Sequence, residues 1–465
     1  MVRAEERILE AITDEEDEEF GARMMTDRFA NFARGQQTQQ RKNKAAIAKF
    51  VGKGRRESAV VMLPRYYGEL LTWSAHQYMK REGWKVVKTL GLRTPSPIYI
   101  DVYTDSDKSE SLLGDGQMLV QKGDSHFVVT VNVNLFRSSW IEVEGPATKK
   151  DEVRGFVEGI STIARNENFY RGKKLDLGHR IRFINLPART WEGIVLDTVV
   201  KDEIWANTIG FFANRERLAC YGIPPKRGVL LVGEPGTGKT LICKALMANS
   251  PGITCLTTNI NAMEDDDYIA ELYKLAQDLS PSIVFIEDID LIAQNRMEWG
   301  YSRGPALLSL LSALDGIEEH EELITVATTN CLQVLDKAIG QRPSRFDRVI
   351  ELSRPSLEHR KQLISSLCQR MPIDKDVQAY IARKTESFTP AQLQEVIYSL
   401  VIGYTQGNHG DQPACLRFRA QEVDSAISKI SGRNRQQLGF IPRDNHDGEC
   451  LGAAISIQKE IGDKC

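Results

Sequence analysis

The stretch GVLLVGEPGTGKTLICKALM, Gly228 to Met247, decides the fold. Gly228–Val232 is an apolar run of strand length, and Lys239–Met247 carries an apolar stripe at helical spacing. Between them GEPGTGKT, Gly233 to Thr240, fits G-x-x-x-x-G-K-[ST] in the strand–turn–helix setting the pattern requires. Gly236 and Gly238 let the backbone turn so that successive N–H groups point inward at an oxyanion. The following helix adds its positive end at the same place. Lys239 supplies a cation for terminal phosphates, and the Thr240 hydroxyl is an oxygen ligand for magnesium. The expected phosphate-binding set is therefore Gly233, Glu234, Pro235, Gly236, Thr237, Gly238, Lys239, Thr240 and Leu241.

Downstream, IVFIEDID, Ile283 to Asp290, runs four apolar residues straight into acids, the pattern of a central strand that ends at a metal or phosphate site. Glu287 is expected to hold magnesium through its water shell, and Asp288 to polarise the attacking water. Nucleoside-triphosphate motors usually place Asp before Glu here, so the order Glu287–Asp288 is a departure. LITVATTN ends a β run in Asn330, an amide suited to hold a lytic water. RPSRFDR brings Arg342, Arg345 and Arg348 together, and a guanidinium matches transition-state phosphoryl charge bidentately. In their own subunit these arginines would lie far from the nucleotide. Arg345 and Arg348 are expected to complete a neighbour's site in a head-to-tail ring.

The rest of the chain sorts by pattern. At 465 residues it is too long for one core. A net charge of −3 gives no global attraction to nucleic acid, which counts against nucleic acid as a partner. No run approaches the ~18 apolar residues of a membrane span. The N-terminus is acidic where a signal peptide needs an apolar core. The 8 cysteines form no CxxC pair and read as scattered buried thiols in a reducing compartment, which places the chain in the cytoplasm.

Residues 1–56 read as a charged helical extension with a basic end, RKNKAAIAKFVGKGRR. Residues 57–150 read as a β-rich module. In it IYIDVYTD puts Ile98, Ile100 and Val102 on one face. HFVVTVNV puts Phe127, Val129 and Val131 on one face and Val128, Thr130 and Asn132 on the other. Residues 151–186 are a connector whose helix carries Val153, Phe156, Val157, Ile160 and Ile163 on one stripe. Residues 187–355 alternate strand and helix, which implies a parallel sheet covered on both faces. Residues 356–440 are helical, and 441–465 is a tail without readable pattern.

Residues 187–440 resemble a AAA ATPase module: GEPGTGKT, the acid-ended strand, LLSALDG, ATTN and RPSRFDRVIEL fall in family order. Within the family, YGIPPKRGVLLVGEPGTGKT, LTTNINAMEDDDYIAELYKLA and Glu-Asp-x-Asp are similar to the AAA proteins that deliver the Rieske iron–sulfur subunit to the cytochrome bc complex. That subgroup hydrolyses ATP with the same acid order, so the resemblance implies a working site. It also carries a membrane span that this chain lacks, and Ser344 stands where a glycine is usual. The resemblance implies an α/β fold with a five-stranded parallel sheet and a helical lid, ATP and Mg2+ as cofactors, and a homo-oligomeric ring of six or seven subunits. Tyr221, Gly222, Ile223 and Pro224 resemble an adenine-wrapping segment, with Asp197 nearby. Ala391 stands where many relatives carry a phosphate-sensing arginine. Threading motors place an aromatic-glycine loop where this chain has NAMEDDD with Met263. The later loop QNRMEWGYSRG offers Arg296, Trp299, Tyr301 and Arg303 for client contact. Three functions compete: an ATP-hydrolysing ring motor that remodels or translocates a protein client, a nucleotide-gated scaffold with little turnover, and a nucleic-acid motor or loader.

Overall fold

The computed structural model describes residues 43–52, 54–134, 138–178, 180–188, 190–258, 268–290, 310, 322–332, 346–369, 371–407 and 415–436. Arg342, Arg345, Met263, Arg296, Trp299, Tyr301, Arg303, most of the N-terminal extension and the tail lie outside them. Between Phe169 and Tyr170 the chain divides into two compact units.

In the first unit the period-two runs become β1 (Arg56–Leu63), β2 (Lys85–Leu90), β3 (Ile98–Asp105), β4 (Lys108–Lys122), β5 (Ser125–Asn132) and β6 (Ser139–Pro146). They form one antiparallel sheet in the order β1-β6-β5-β4-β2, with β3 also on β4. Three helices accompany it: α1 (43–51), α2 (Gly68–Glu82) and α3 (Lys150–Asn166). Phe127, Val129 and Val131 share a core with Leu71, Ala75 and Met79 of α2 and with Val153, Phe156 and Ile160 of α3. The other face of β5 is buried as well, because Ile47 of α1 closes over Leu90, Leu119 and Val128. Ile98, expected to share an apolar face with Val102, is exposed: the register slips between Ile98 and Tyr99 and takes it out of that face.

The expected connector does not stand by itself. Its helix α3 packs in the first unit, and its remainder supplies β7 (Lys174–Leu177) and β8 (Ile181–Phe183) to the sheet of the second. The five strands anticipated there are β9 (Lys226–Val232), β10 (Thr254–Thr258), β11 (Ser282–Ile286), β12 (Leu323–Thr329) and β13 (Arg348–Glu351). With β7 and β8 the sheet has seven strands rather than five, in the order β13-β9-β12-β11-β10-β7-β8. All neighbours are parallel except the β7–β8 pair. Lys174 anchors the addition by donating to Ser250 O at 2.6 Å and Ile253 O at 2.7 Å.

Helices α4 (Thr198–Ala206), α5 (Ile209–Ala213) and α6 (Arg215–Ala219) precede β9, while α7 (Lys239–Ala248) and α8 (Tyr268–Asp278) follow β9 and β10. The α8 stripe of Ile269, Leu272 and Ala276 is buried. Beyond the sheet, α9 (Leu357–Leu367), α10 (Lys375–Lys384), α11 (Pro390–Gly407) and α12 (Ala420–Gln436) enclose a separate core around Ile364, Ile381, Leu393, Val396 and Val423. Among the described residues Cys243, Cys255 and Cys368 are buried thiols, whereas Cys220 and Cys415 are exposed and Cys331 is disulfide-bonded, departures from the expected buried thiols. No described helix is long and apolar enough to cross a membrane.

Phe156 is fully buried against Tyr78, Trp84 and Phe127. Phe156→Ala is expected to destabilise the first unit by about 3–5 kcal/mol. Urea unfolding followed by tryptophan fluorescence measures it.

Candidate active site

Strand β12 pairs with both β9 and β11, so the C-terminal ends of these three strands converge. In a parallel α/β sheet that edge is where ligands bind. The phosphate loop leaves β9 there, Glu287 and Asp288 follow β11, and Asn330 follows β12. Gly233 N–H donates to Thr329 O at 3.2 Å, which ties the start of the loop to the neighbouring strand.

The loop's glycines are used individually. Gly236 and Gly238 have φ of 84° and 102°, in the left-handed region that side chains disfavour. A Cβ on Gly236 would also lie 2.9 Å from Ala391 Cβ and 3.0 Å from Thr389 Oγ1, both at the start of α11. Thr237 is buried and its hydroxyl donates to Glu234 O at 2.9 Å. Lys239 is 6% exposed, and its ammonium donates to Gly233 O (2.6 Å), Glu234 O (3.1 Å) and Asn330 Oδ1 (2.7 Å). Burial lowers its pKa, and the carboxylates of Asp288 and Asp290 oppose that shift.

The two acids after β11 face different partners. Glu287 Oε2 accepts from the Thr240 hydroxyl at 2.7 Å. Asp288 Oδ1 accepts from Asn330 Nδ2 at 3.2 Å, and the Asp288 N–H donates to Thr328 Oγ1 at 3.0 Å. Among the described residues Asp288 is the one non-glycine with positive φ, at 53°. Holding such a residue there costs on the order of 1–2 kcal/mol, and its surroundings must fix it. Asn330 therefore bridges Lys239 and Asp288, through its oxygen to one and its amide nitrogen to the other.

Asp290 carries no assigned role in the sequence, yet it anchors the bridge. Its Oδ1 accepts from Thr329 Oγ1 at 2.9 Å and Asn330 N–H at 3.1 Å, and the residue is 3% exposed. A third acid after an apolar strand was the available signal. Glu234 was expected only as part of the loop, but its carboxylate pairs with Arg354 at 2.7 Å. On α7, Cys243 is buried near Glu287 and Asp288, and that burial pushes its thiol pKa up.

The remaining expected residues have their own local surroundings. Asp197 caps α4, accepting from Val199 N–H at 2.9 Å. Ile223 and Tyr221 precede the N-terminal end of β9 and line a cleft of about 540 Å³ with Trp205, Phe211 and Leu218. The seven residues of β9, at about 3.3 Å each, separate them from the phosphate loop by roughly 20 Å, so they do not join it. Arg348 opens β13 opposite Val229, away from its own phosphate loop, with Nε 3.9 Å from Glu203. Thr240 and Glu287 present two hard oxygens in contact, the donor chemistry that would suit a magnesium ion.

Residues 229–354 match the family model described as "ATPase family associated with various cellular activities (AAA)". The chain is 34% identical over 233 residues to a proteasome-activating nucleotidase of Sulfurisphaera tokodaii, covering 48% of this chain and 58% of that protein. It is 33% identical over 251 residues to the ATP-dependent zinc metalloprotease FtsH 2 of Salinibacter ruber, covering 52% and 36% respectively. To the proteasome-activating nucleotidase 2 of Haloferax volcanii it is 27% identical over 341 residues, covering 70% and 79%. The chain spans a little over half the length of the first of these relatives.

Gly236→Ala is expected to destabilise the second unit by roughly 1–3 kcal/mol, because the new methyl meets both an unfavourable φ and Ala391. Differential scanning calorimetry of the variant beside the parent chain checks this.

Proposed function

We propose that this chain, with an AAA domain at its centre, is an ATPase that cleaves ATP to ADP and phosphate and uses the energy to remodel or translocate a protein client. One observation carries the reading: Lys239, Thr240, Glu287, Asp288 and Asn330 converge in a single hydrogen-bonded set at the C-terminal edge of the sheet. Loop N–H groups and the α7 N-terminus bind the phosphates. The Lys239 ammonium exchanges its carbonyl partners for phosphate oxygens. Thr240 and Glu287 hold magnesium, which when bound neutralises phosphate charge. Asp288 accepts a hydrogen bond from the attacking water, and the Asn330 amide orients both the acid and that water.

The Glu–Asp order fits this division of labour. The longer Glu287 reaches the Thr240 hydroxyl, while the shorter Asp288 is turned toward Asn330 by its left-handed backbone. Arg345 and Arg348 then complete the site of an adjacent subunit in a homo-oligomeric ring. The position of Arg348 at the opposite end of β13 from its own phosphate loop supports action in trans. The names of two relatives, a proteasome-activating nucleotidase and an ATP-dependent metalloprotease, support a protein as the client.

Two measurements test the reading. Lys239→Ala is expected to abolish phosphate release, and Asp288→Asn to reduce it about 100-fold or more while ATP still binds. Wild-type release at the uncatalysed background with intact ATP binding would instead make the chain a nucleotide-gated scaffold. For the ring, Lys239→Ala and Arg345→Ala/Arg348→Ala proteins are each expected to be inactive alone and to recover part of the wild-type rate when mixed. No recovery on mixing would sink action in trans.

A further inference from the structure

We propose that Arg354 is a positioning residue for nucleotide binding, and that its task is to neutralise Glu234, a carboxylate carried by the phosphate loop itself. The proposal rests on the reading of Gly233–Thr240 as the phosphate site. Glu234 O lies 3.1 Å from the Lys239 ammonium, so the Glu234 side chain starts beside the place a triphosphate must occupy. A side chain is shorter than the roughly 10 Å Debye length, so an uncompensated carboxylate on this residue repels a polyanion held by the loop.

Arg354 answers this charge with a specific fork. Its Nε and Nη2 both donate to Glu234 Oε2, at 3.0 and 2.7 Å, and its Nη1 donates to Ser387 O at 2.8 Å. Ser387 stands two residues before Thr389, which packs on Gly236, and Ala391 N–H donates to Gly236 O at 3.2 Å. The guanidinium thus pairs with the acid and ties the loop to the segment that leads into α11. Lysine has the charge but lacks the planar fork. The pair is about half exposed (47% and 55%), so it adds little to folding stability, and its effect falls on the bound anion.

The test is a set of dissociation constants for a fluorescent ATP analogue with magnesium, measured on full-length protein at low and high KCl. Arg354→Ala is expected to weaken binding roughly three- to tenfold at low salt, with the loss shrinking as KCl rises. Glu234→Gln is expected to bind about two- to threefold more tightly than wild type at low salt, because it removes a carboxylate from the loop and leaves the Arg354 charge in place. The double variant Glu234→Gln/Arg354→Ala is expected to return to within about twofold of wild type. A tether acting only through Ser387 would leave the double variant as weak as Arg354→Ala, and that result overturns charge neutralisation, as does wild-type affinity in Arg354→Ala. Glu234→Gln and Arg354→Lys keep the comparison readable should Arg354→Ala fold poorly. If the wild-type chain binds no nucleotide, the phosphate-site reading itself falls, and that outcome is distinct from the others.

Discussion

A buried ammonium needs an acceptor for each of its protons, and Lys239 finds them on two different strands' exits. Two are carbonyls of its own loop, which curls the loop around it. The third is the Asn330 side chain, which is reachable only because β12 lies beside β9. The order of strands and the conformation of the loop are therefore settled together. Were β9 next to β11, the amide would sit a strand too far away and the ammonium would lack its third partner.

From that contact the arrangement propagates outward. Asn330, held by its oxygen, points its amide nitrogen at Asp288, and Asp290 pins the Asn330 backbone from below. Thr328 and Thr329 supply the hydroxyls that lock the turn after β11 onto the end of β12. Each polar group of this cluster is thereby satisfied by a residue at the exit of a neighbouring strand.

Much of this was legible before any coordinates. The alternation of strand and helix around the glycine-rich loop and the α3 stripe follow from spacing and residue type, and the five parallel strands from the family resemblance. Other parts were not, for identifiable reasons. KLDL and IRF are too short to carry a period, so β7 and β8 could not be told from linker. Within the region read as helical, α10 offers Val377, Tyr380, Ile381 and the small Ala382, a weaker stripe than those around it, so its bounds could not be drawn. The burial of Val128 on a second face depended on α1, far away in the chain. The Arg354–Glu234 pair spans 120 positions, and nothing local marks either residue as the other's partner. Ile223 was placed beside an adenine by likeness of sequence, and it precedes β9, at the strand end away from the phosphate loop.

The backbone at position 288 has an evolutionary consequence. Aspartate and asparagine tolerate a left-handed conformation better than glutamate, because their short polar side chains bond to nearby backbone. Exchanging Glu287 and Asp288 to the commoner order would require the turn after β11 to relax at the same moment, along with the Thr328 contact that holds it. In this chain a single substitution at either acid therefore meets a backbone shaped for the existing pair, and the order can change only together with the turn that carries it.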